Sequence, residues 1–231
     1  MRMSSIRRVP AFLVLLTTLL ARADEAADVP SALEADPAGW SDLLAPSGAG
    51  LDAWTREPMP AGGDLVEDSP WKLDAATGVL AGTSPGAVRE WLRLDQVLLD
   101  FTLHVEWRIV PDAESKSAPA SGGVYVRNSN DAGLWHEARL GASGVGSLVG
   151  ATYANQVVKP FEVEPGVKDA RVKPAGEWNT YELTCKGRSV TLWVNGAVAN
   201  EWKGCGVPRG YIGLEVDGGR VEFRNLKLKA L

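Results

Sequence analysis

Residues 171–202 read RVKPAGEWNTYELTCKGRSVTLWVNGAVANEW, and residues 209–229 read RGYIGLEVDGGRVEFRNLKLK. Short alternating stretches follow one another here: Asn179 to Lys186, Val190 to Asn195, Val198 to Lys203, Tyr211 to Val216 and Arg220 to Lys229. A period of two marks strands with one buried face. Between them stand Lys186-Gly187-Arg188, Asn195-Gly196 and Asp217-Gly218-Gly219, which have the residues that tight hairpin turns need. Strands this frequent, with no helical periodicity, predict an all-β sandwich or jelly roll.

The upstream half has the same grammar. Asp100 to Val110 alternates most cleanly, with Phe101, Leu103, Val105, Trp107 and Ile109 on one face and Thr102, His104, Glu106 and Arg108 on the other. Gly123 to Asn128 and Trp135 to Leu140 read as strands around the turn sequence SNDAG. Trp71 to Ala81 reads as a hairpin, Glu90 to Leu94 as a strand, and residues 111–121 as a polar loop. Residues 141–176 open on GASGVGSLVG, hold three Pro and show no evident element, as long loops beside a site often do. That Gly-rich run lacks the Lys-Ser/Thr of a phosphate loop and reads as a site edge. Trp40 to Trp54 begins the ordered part. Residues 24–39, rich in Ala, Asp and Pro, read as a flexible lead-in.

The chain has 231 residues, room for one large β domain, and 45% apolar content suffices for its core. Trp both fills sandwich cores and stacks on sugar faces; core packing is the expectation for Trp107 and Trp193. The N-terminus reads as an export signal, with Arg2, Arg7 and Arg8, an apolar run from Ala11 to Ala21, and the small-x-small site Ala21-Arg22-Ala23. The apolar run is too short for a comfortable membrane span. Removing residues 1–23 takes four Arg and no acid, so 24 basic residues fall to 20 against 29 acidic ones, a formal charge of −9. No basic patch stands out, which argues against nucleic acid. The expectation is a secreted or periplasmic domain with no membrane insertion after cleavage. Cys185 and Cys205 leave open a disulfide, which export would permit, or two buried thiols. Two Cys and two His so scattered build no zinc site.

Six stretches carry a family resemblance: DFTLHVEWRI (100–109), SGGVYVRN (121–128), WHEARL (135–140), GSLVG (146–150), KPAGEWNTYELTCKGRSVTLWVNG (173–196) and RGYIGLEVDGGRVEFRNLKLKAL (209–231). In this order they resemble the 3-keto-disaccharide hydrolase family, also described as 3-keto-glucoside lyase/hydratase domains, over about residues 40–231. The resemblance implies a concanavalin A-like jelly roll of two antiparallel sheets with a concave face. It also implies cleavage of 3-keto-glycosides by hydrolysis or elimination, with carbohydrate as the partner. A ketone at C3 acidifies the hydrogen on C2, so the chemistry needs a base, an acid for the leaving oxygen and an electrophile at the ketone. A divalent ion is one candidate electrophile.

Glu137, mid-strand in WHEARL and aligned with the family's strand carboxylate, is the first catalytic candidate. Glu106, opposite an apolar stripe, is the second, and Arg127 is placed to orient an oxyanion. Trp135, Arg139, Tyr125 and Lys159 are the substrate-binding candidates, with Tyr153 and Asn155 near the same cleft. His104, Glu106 and Glu137 could share a metal if their strands pair. His136 adjoins Glu137, and alternation puts it on the opposite face, so it reads as structural. Glu215 and Asp217 depart from the family's residues and read as turn carboxylates. A non-catalytic, lectin-like carbohydrate-binding domain is the alternative function, and a structural or interaction domain without a sugar site is the third.

Overall fold

The computed structural model describes residues 28–44, 50–84, 88–111, 120–141, 144–165 and 171–231. The expected signal segment, 1–23, lies outside the described residues, as do 24–27 of the lead-in. Among the described residues one helical turn, α1 (Ala32–Ala35), precedes fifteen strands. They are β1 (Ser41–Asp42), β2 (Trp54–Met59), β3 (Trp71–Asp74), β4 (Val79–Ser84), β5 (Arg89–Leu94), β6 (Phe101–Ile109), β7 (Ser121–Asn128) and β8 (Trp135–Gly141). There follow β9 (Leu148–Ala154), β10 (Val157–Val163), β11 (Asn179–Lys186), β12 (Ser189–Val194), β13 (Ala197–Trp202), β14 (Tyr211–Asp217) and β15 (Gly219–Ala230).

The strands form two antiparallel sheets stacked as a jelly-roll sandwich. The eight-stranded sheet runs β13-β12-β11-β6-β15-β4-β3, with β1 also on β15. The seven-stranded sheet runs β10-β9-β8-β7-β14-β5-β2. The alternation seen in the sequence supplies the layer between them. Phe101, Leu103, Val105 and Trp107 of β6 and Val221 and Phe223 of β15 are at most 2% exposed, facing Leu92, Val124, Ala138 and Leu214 of the other sheet. Each side chain as large as Leu or Phe buried this way contributes about 1.5–3 kcal/mol. The Tyr181 hydroxyl ties the layers together, donating to the Arg139 carbonyl at 2.9 Å and accepting from the Gly146 amide at 2.9 Å.

Four expectations change. Residues 141–176 hold the β9–β10 hairpin, whose turn, Asn155-Gln156, has φ of 54° and 64°. A type I′ turn usually advertises itself with Gly; here Gln hides it, and Pro160 is tolerated because β10 is an edge strand. Asp217-Gly218-Gly219 makes no hairpin, because β14 and β15 lie in different sheets. The two glycines, at φ 67° and 71°, carry the chain across the sandwich. Residues 28–39 are not loose: Ser31 caps α1 in a capping box, and the Ala32 and Leu33 amides donate to Glu182. Trp193 lies outside the core, half-buried beneath this segment, with Nε1 donating to the Val29 carbonyl at 3.0 Å. Cys185 and Cys205 are buried free thiols. Among the described residues no helix is long and apolar enough to cross a membrane.

Candidate functional site

Strands β5, β14, β7 and β8 lie side by side in the seven-stranded sheet, and period-two alternation sends one set of their side chains away from the core. In register, Trp91 pairs with Glu215, Glu215 with Gly123 and Gly123 with Arg139. The next row pairs Gly213 with Tyr125 and Tyr125 with Glu137. Two glycines make room on this face. A Cβ on Gly213 would lie 2.2 Å from the Trp91 ring, and one on Gly123 would lie 2.4 Å from Glu137 Cγ. Glycine inside a strand marks such close approaches. The Glu137 side chain therefore folds over the β7 backbone toward β14 and Glu215. Beneath it Trp91, Tyr125 and Trp135 meet edge-on in sequence, with centroids 6.0 and 6.3 Å apart.

Glu215 is almost sealed, its side chain 2% exposed against 49% for its partner Arg89. Arg89 Nε donates to Glu215 Oε1 at 2.9 Å, and Nη2 donates to the same oxygen. The Tyr125 hydroxyl donates to Oε2. Burial, then the charges of Glu215 and Glu137, keep that phenol well above its ordinary range and hence protonated. Glu137 has no such arginine clamp. Burial, and next the neighbouring Glu215 charge, push it up to about 8, against the pull of Arg139 and Arg89. Two carboxyls on one face are thus differentiated by their surroundings, the pattern by which proteins set apart a proton carrier from a fixed charge. Glu137 and Arg89 stand on the shared wall of two hollows, of about 330 and about 650 Å³.

Of the residues singled out in the sequence, Glu137, Trp135, Tyr125 and Arg139 are brought together here. Arg139 lines the smaller hollow and pairs with Glu162 of β10 at 3.2 Å. Lys159 is exposed on β10 and lines neither hollow; three residues from Glu162, it falls on the opposite face. Tyr153 and Asn155 belong to the β9–β10 hairpin end, away from both hollows. Glu106 is not at the site. It lies on β6 of the other sheet, outward-facing, where Arg224 Nε donates at 2.7 Å and Asn225 Nδ2 at 3.0 Å. His104 stays with it, its Nδ1 2.8 Å from Glu182. The triplet His104, Glu106 and Glu137 is split between two sheets, and among the described residues no group of three His, Cys, Asp or Glu is placed to hold a metal.

Arg127 is also placed elsewhere, for a backbone reason. Asn128 pairs with Tyr211 but Tyr125 with Gly213, so β7 carries one residue too many and bulges. Arg127 takes the bulge at φ 53° and turns off the site face. It is fully buried, and its Nη atoms donate to the carbonyls of Gly187, Val207 and Leu99 and to Asp100 at 2.8 Å. It is a clamp on the loops at one end of the sandwich. His136 faces inward beside the stacked rings of Phe161 and Trp202, and burial lowers it to about 4, so it is neutral.

Two residues of the site were missed in the sequence: Arg89 was not singled out, and Glu215, read as a turn carboxylate, lies within β14 and is held by Arg89 and Tyr125. Glu215 had a signal: it interrupts Leu214 and Val216, both inward, and must point outward opposite Gly123. Arg89 had none, since its partner is 126 positions away.

The comparisons with known proteins agree with this architecture. The family model of the 3-keto-alpha-glucoside-1,2-lyase-like domain matches residues 39–229. No curated protein matches the chain. Among solved structures, a putative glycosyl hydrolase from Parabacteroides distasonis superposes with a TM-score of 0.57 at 17% identity, covering 89% of this chain and 99% of that one. The carbohydrate binding module CBM66 from Bacillus subtilis gives 0.55 at 14% identity, covering 77% and 96%. The carbohydrate recognition domain of Emp46p, in its metal-free form, gives 0.53 at 15%, covering 83% and 95%. At these identities the likeness is one of fold. Membership rests on the family model, which spans every strand from β1 to β14 and nearly all of β15: the chain belongs to the 3-keto-alpha-glucoside-1,2-lyase-like family.

Proposed function

We propose that this domain cleaves the glycosidic bond of 3-keto-glycosides by elimination across C1 and C2, with Glu137 as the proton carrier. One observation carries the reading: a carboxyl raised to about 8 by burial and by Glu215 stands beside a half-exposed arginine that the same Glu215 holds in place. A base is most useful when its pKa lies near the working pH. Ionised Glu137 takes the C2 hydrogen, and the electron pair of that bond passes into the enolate of the C3 ketone. Arg89 faces the developing oxyanion as a fixed positive charge. The enolate then collapses to a C1–C2 double bond as the C1–O bond breaks, and the departing oxygen takes the proton from Glu137. An enone and a free alcohol result; addition of water to the enone completes hydrolysis. Export, expected from residues 1–23, belongs to the same proposal, and a mature N-terminus at Asp24 would mark it.

The test is incubation with a 3-keto-disaccharide, following enone and released alcohol. kcat/KM should rise about tenfold per pH unit below the Glu137 transition and level off above about 8, because the base must be ionised. Glu137→Gln should lose this limb and the turnover with it. Saturable sugar binding with no turnover at any pH would instead establish the lectin-like alternative.

A further inference from the structure

The two hollows that meet at Glu137 and Arg89 differ in character. The smaller is walled by Ser121, Arg139, Glu215 and Asp217, polar or charged on nearly every side. The larger is walled by Met59, Pro60 and Ala61, by the rings of Tyr125 and Trp135, and by the turn Asp131–Gly133. Both volumes, about 330 and about 650 Å³, fall in the range of small-molecule sites. We propose that the larger hollow receives the leaving half of the substrate, and that this half is a planar apolar group, an aryl aglycone, rather than a second sugar.

The inference rests on the function proposed above, and then on chemistry. The bond that breaks must lie at Glu137, because its proton goes to the leaving oxygen. Glu137 borders both hollows, so the keto ring occupies one and the aglycone the other. The ring carries a carbonyl and several hydroxyls and needs the hollow with guanidinium and carboxylate partners. Apart from Arg89 and Glu137 on the shared wall and Asp131 in the turn, the other hollow is walled by apolar side chains, aromatic rings and backbone. Tyr125 is 1% exposed and has given its hydroxyl to Glu215, so its ring backs the wall. Trp135, only partly buried, stands at 63° to that ring and supplies the accessible side of an aromatic corner suited to a flat apolar guest. Asp131 spends Oδ1 in its own turn, accepting from Ser129 Oγ at 2.6 Å and from the Gly133 amide at 3.0 Å, which fixes that wall and leaves Oδ2 as its one remaining acceptor. A second sugar would leave most of its hydroxyls without partners against these surfaces.

The experiment uses the full chain and three 3-keto-glucosides that differ only in aglycone: methyl, phenyl and glucosyl. Each kcat/KM is divided by that compound's spontaneous elimination rate, which removes leaving-group chemistry from the comparison. The corrected value for phenyl should exceed that for glucosyl by about tenfold or more. Trp135→Ala should lower the phenyl-to-methyl ratio by about tenfold. Ala61→Trp, on an exposed part of the rim, should crowd the hollow and lower the same ratio without touching the aromatic corner. A corrected preference for glucosyl, or a phenyl-to-methyl ratio unmoved in both variants, overturns the aglycone assignment while leaving the elimination reading intact. No turnover of any of the three removes that reading, and the aglycone assignment with it.

Discussion

The outer faces of the two sheets carry similar residues and solve the same problem differently. On the eight-stranded sheet every prominent carboxylate among the described residues is matched. Glu106 takes Arg224 and Asn225, Glu222 takes Arg108 and Arg220, and Glu182 takes His104 with the Ala32 and Leu33 amides. The segment from Val29 to Trp40 then lies over part of this face, with Trp40 edge-on to His104. On the seven-stranded sheet, Glu137 is set beside Glu215 and Asp217 with too little positive charge to hold it ionised. Charges satisfied at every site make a wall. One carboxyl left raised, next to a hollow, makes a place where a proton can move. Buried acids on a sheet face therefore say little by themselves; their partners decide.

The largest expected effect tests that contrast directly. Glu137→Gln should lower kcat/KM for a 3-keto-glycoside by about 10²–10⁴ fold. Glu106→Gln, the equivalent change on the matched face, should leave it within about twofold. Equal losses in both variants would break the distinction between the faces.

The second effect is on stability, with the opposite sign. Glu137 titrates at about 8 when folded and near 4.5 when unfolded. The stabilising contribution of its proton is complete below 4.5 and is lost as pH rises through about 8. Glu137→Gln abolishes that loss, so the variant should be the more stable protein at pH 8, by about 2 kcal/mol, or roughly 4–8 °C in Tm for a chain of this size. His136 works from the other side. Its folded value of about 4 lies below the unfolded 6.5, so stability falls as pH drops from 6.5 toward 4. The two windows overlap from about 4.5 to 6.5, where the opposite slopes offset, so thermal melts across pH 4 to 9 should show a wild-type plateau there and a flatter alkaline limb in the variant. An alkaline limb identical in both would show that Glu137 is not held protonated.

What the sequence disclosed follows from range. The strands of the core were legible because alternation is local: the inward set of β6 was the expected one, and β11 was read over the span it occupies. The β9–β10 hairpin was hidden because alternation gives way where Leu148, Val149 and Gly150 are all buried, and because its turn lacks Gly. The site was half legible. Glu137, Trp135 and Arg139 share a strand, so their common face could be derived. Arg127 lies on a strand too, yet one bulge reversed its direction, and nothing in SGGVYVRN announces an extra residue. The assignment of Glu106 failed for a different reason: alternation says which residues share a face of one strand but not which sheet that strand joins.

A third expectation isolates the charge behind the raised carboxyl. Glu215→Gln removes the negative neighbour, so the inflection in the pH–rate profile should move down from about 8, by roughly one unit. Arg89 loses its partner in the same variant, so kcat should fall as well. Arg89→Met separates the two contributions: it should move the inflection upward, since Arg89 pulls Glu137 down, while lowering kcat through loss of the oxyanion charge. An inflection that ignores Glu215 would assign the shift to burial, with Asp217 as the remaining negative neighbour.

The smallest effect lies on the matched face. Glu182→Gln keeps the shape of the side chain and weakens three charge-assisted contacts, to His104 Nδ1 and to the amides of Ala32 and Leu33. The cost should be about 1–2 kcal/mol. It should appear as faster amide exchange confined to residues 29–36, where the covering segment peels from the sheet. Turnover and the pH profile should be unmoved, because no contact of Glu182 reaches the seven-stranded sheet. If Glu182→Gln instead shifted the inflection of Glu137, the two faces would be coupled through the core, and the separation between a wall and a site would have to be replaced by one cooperative unit.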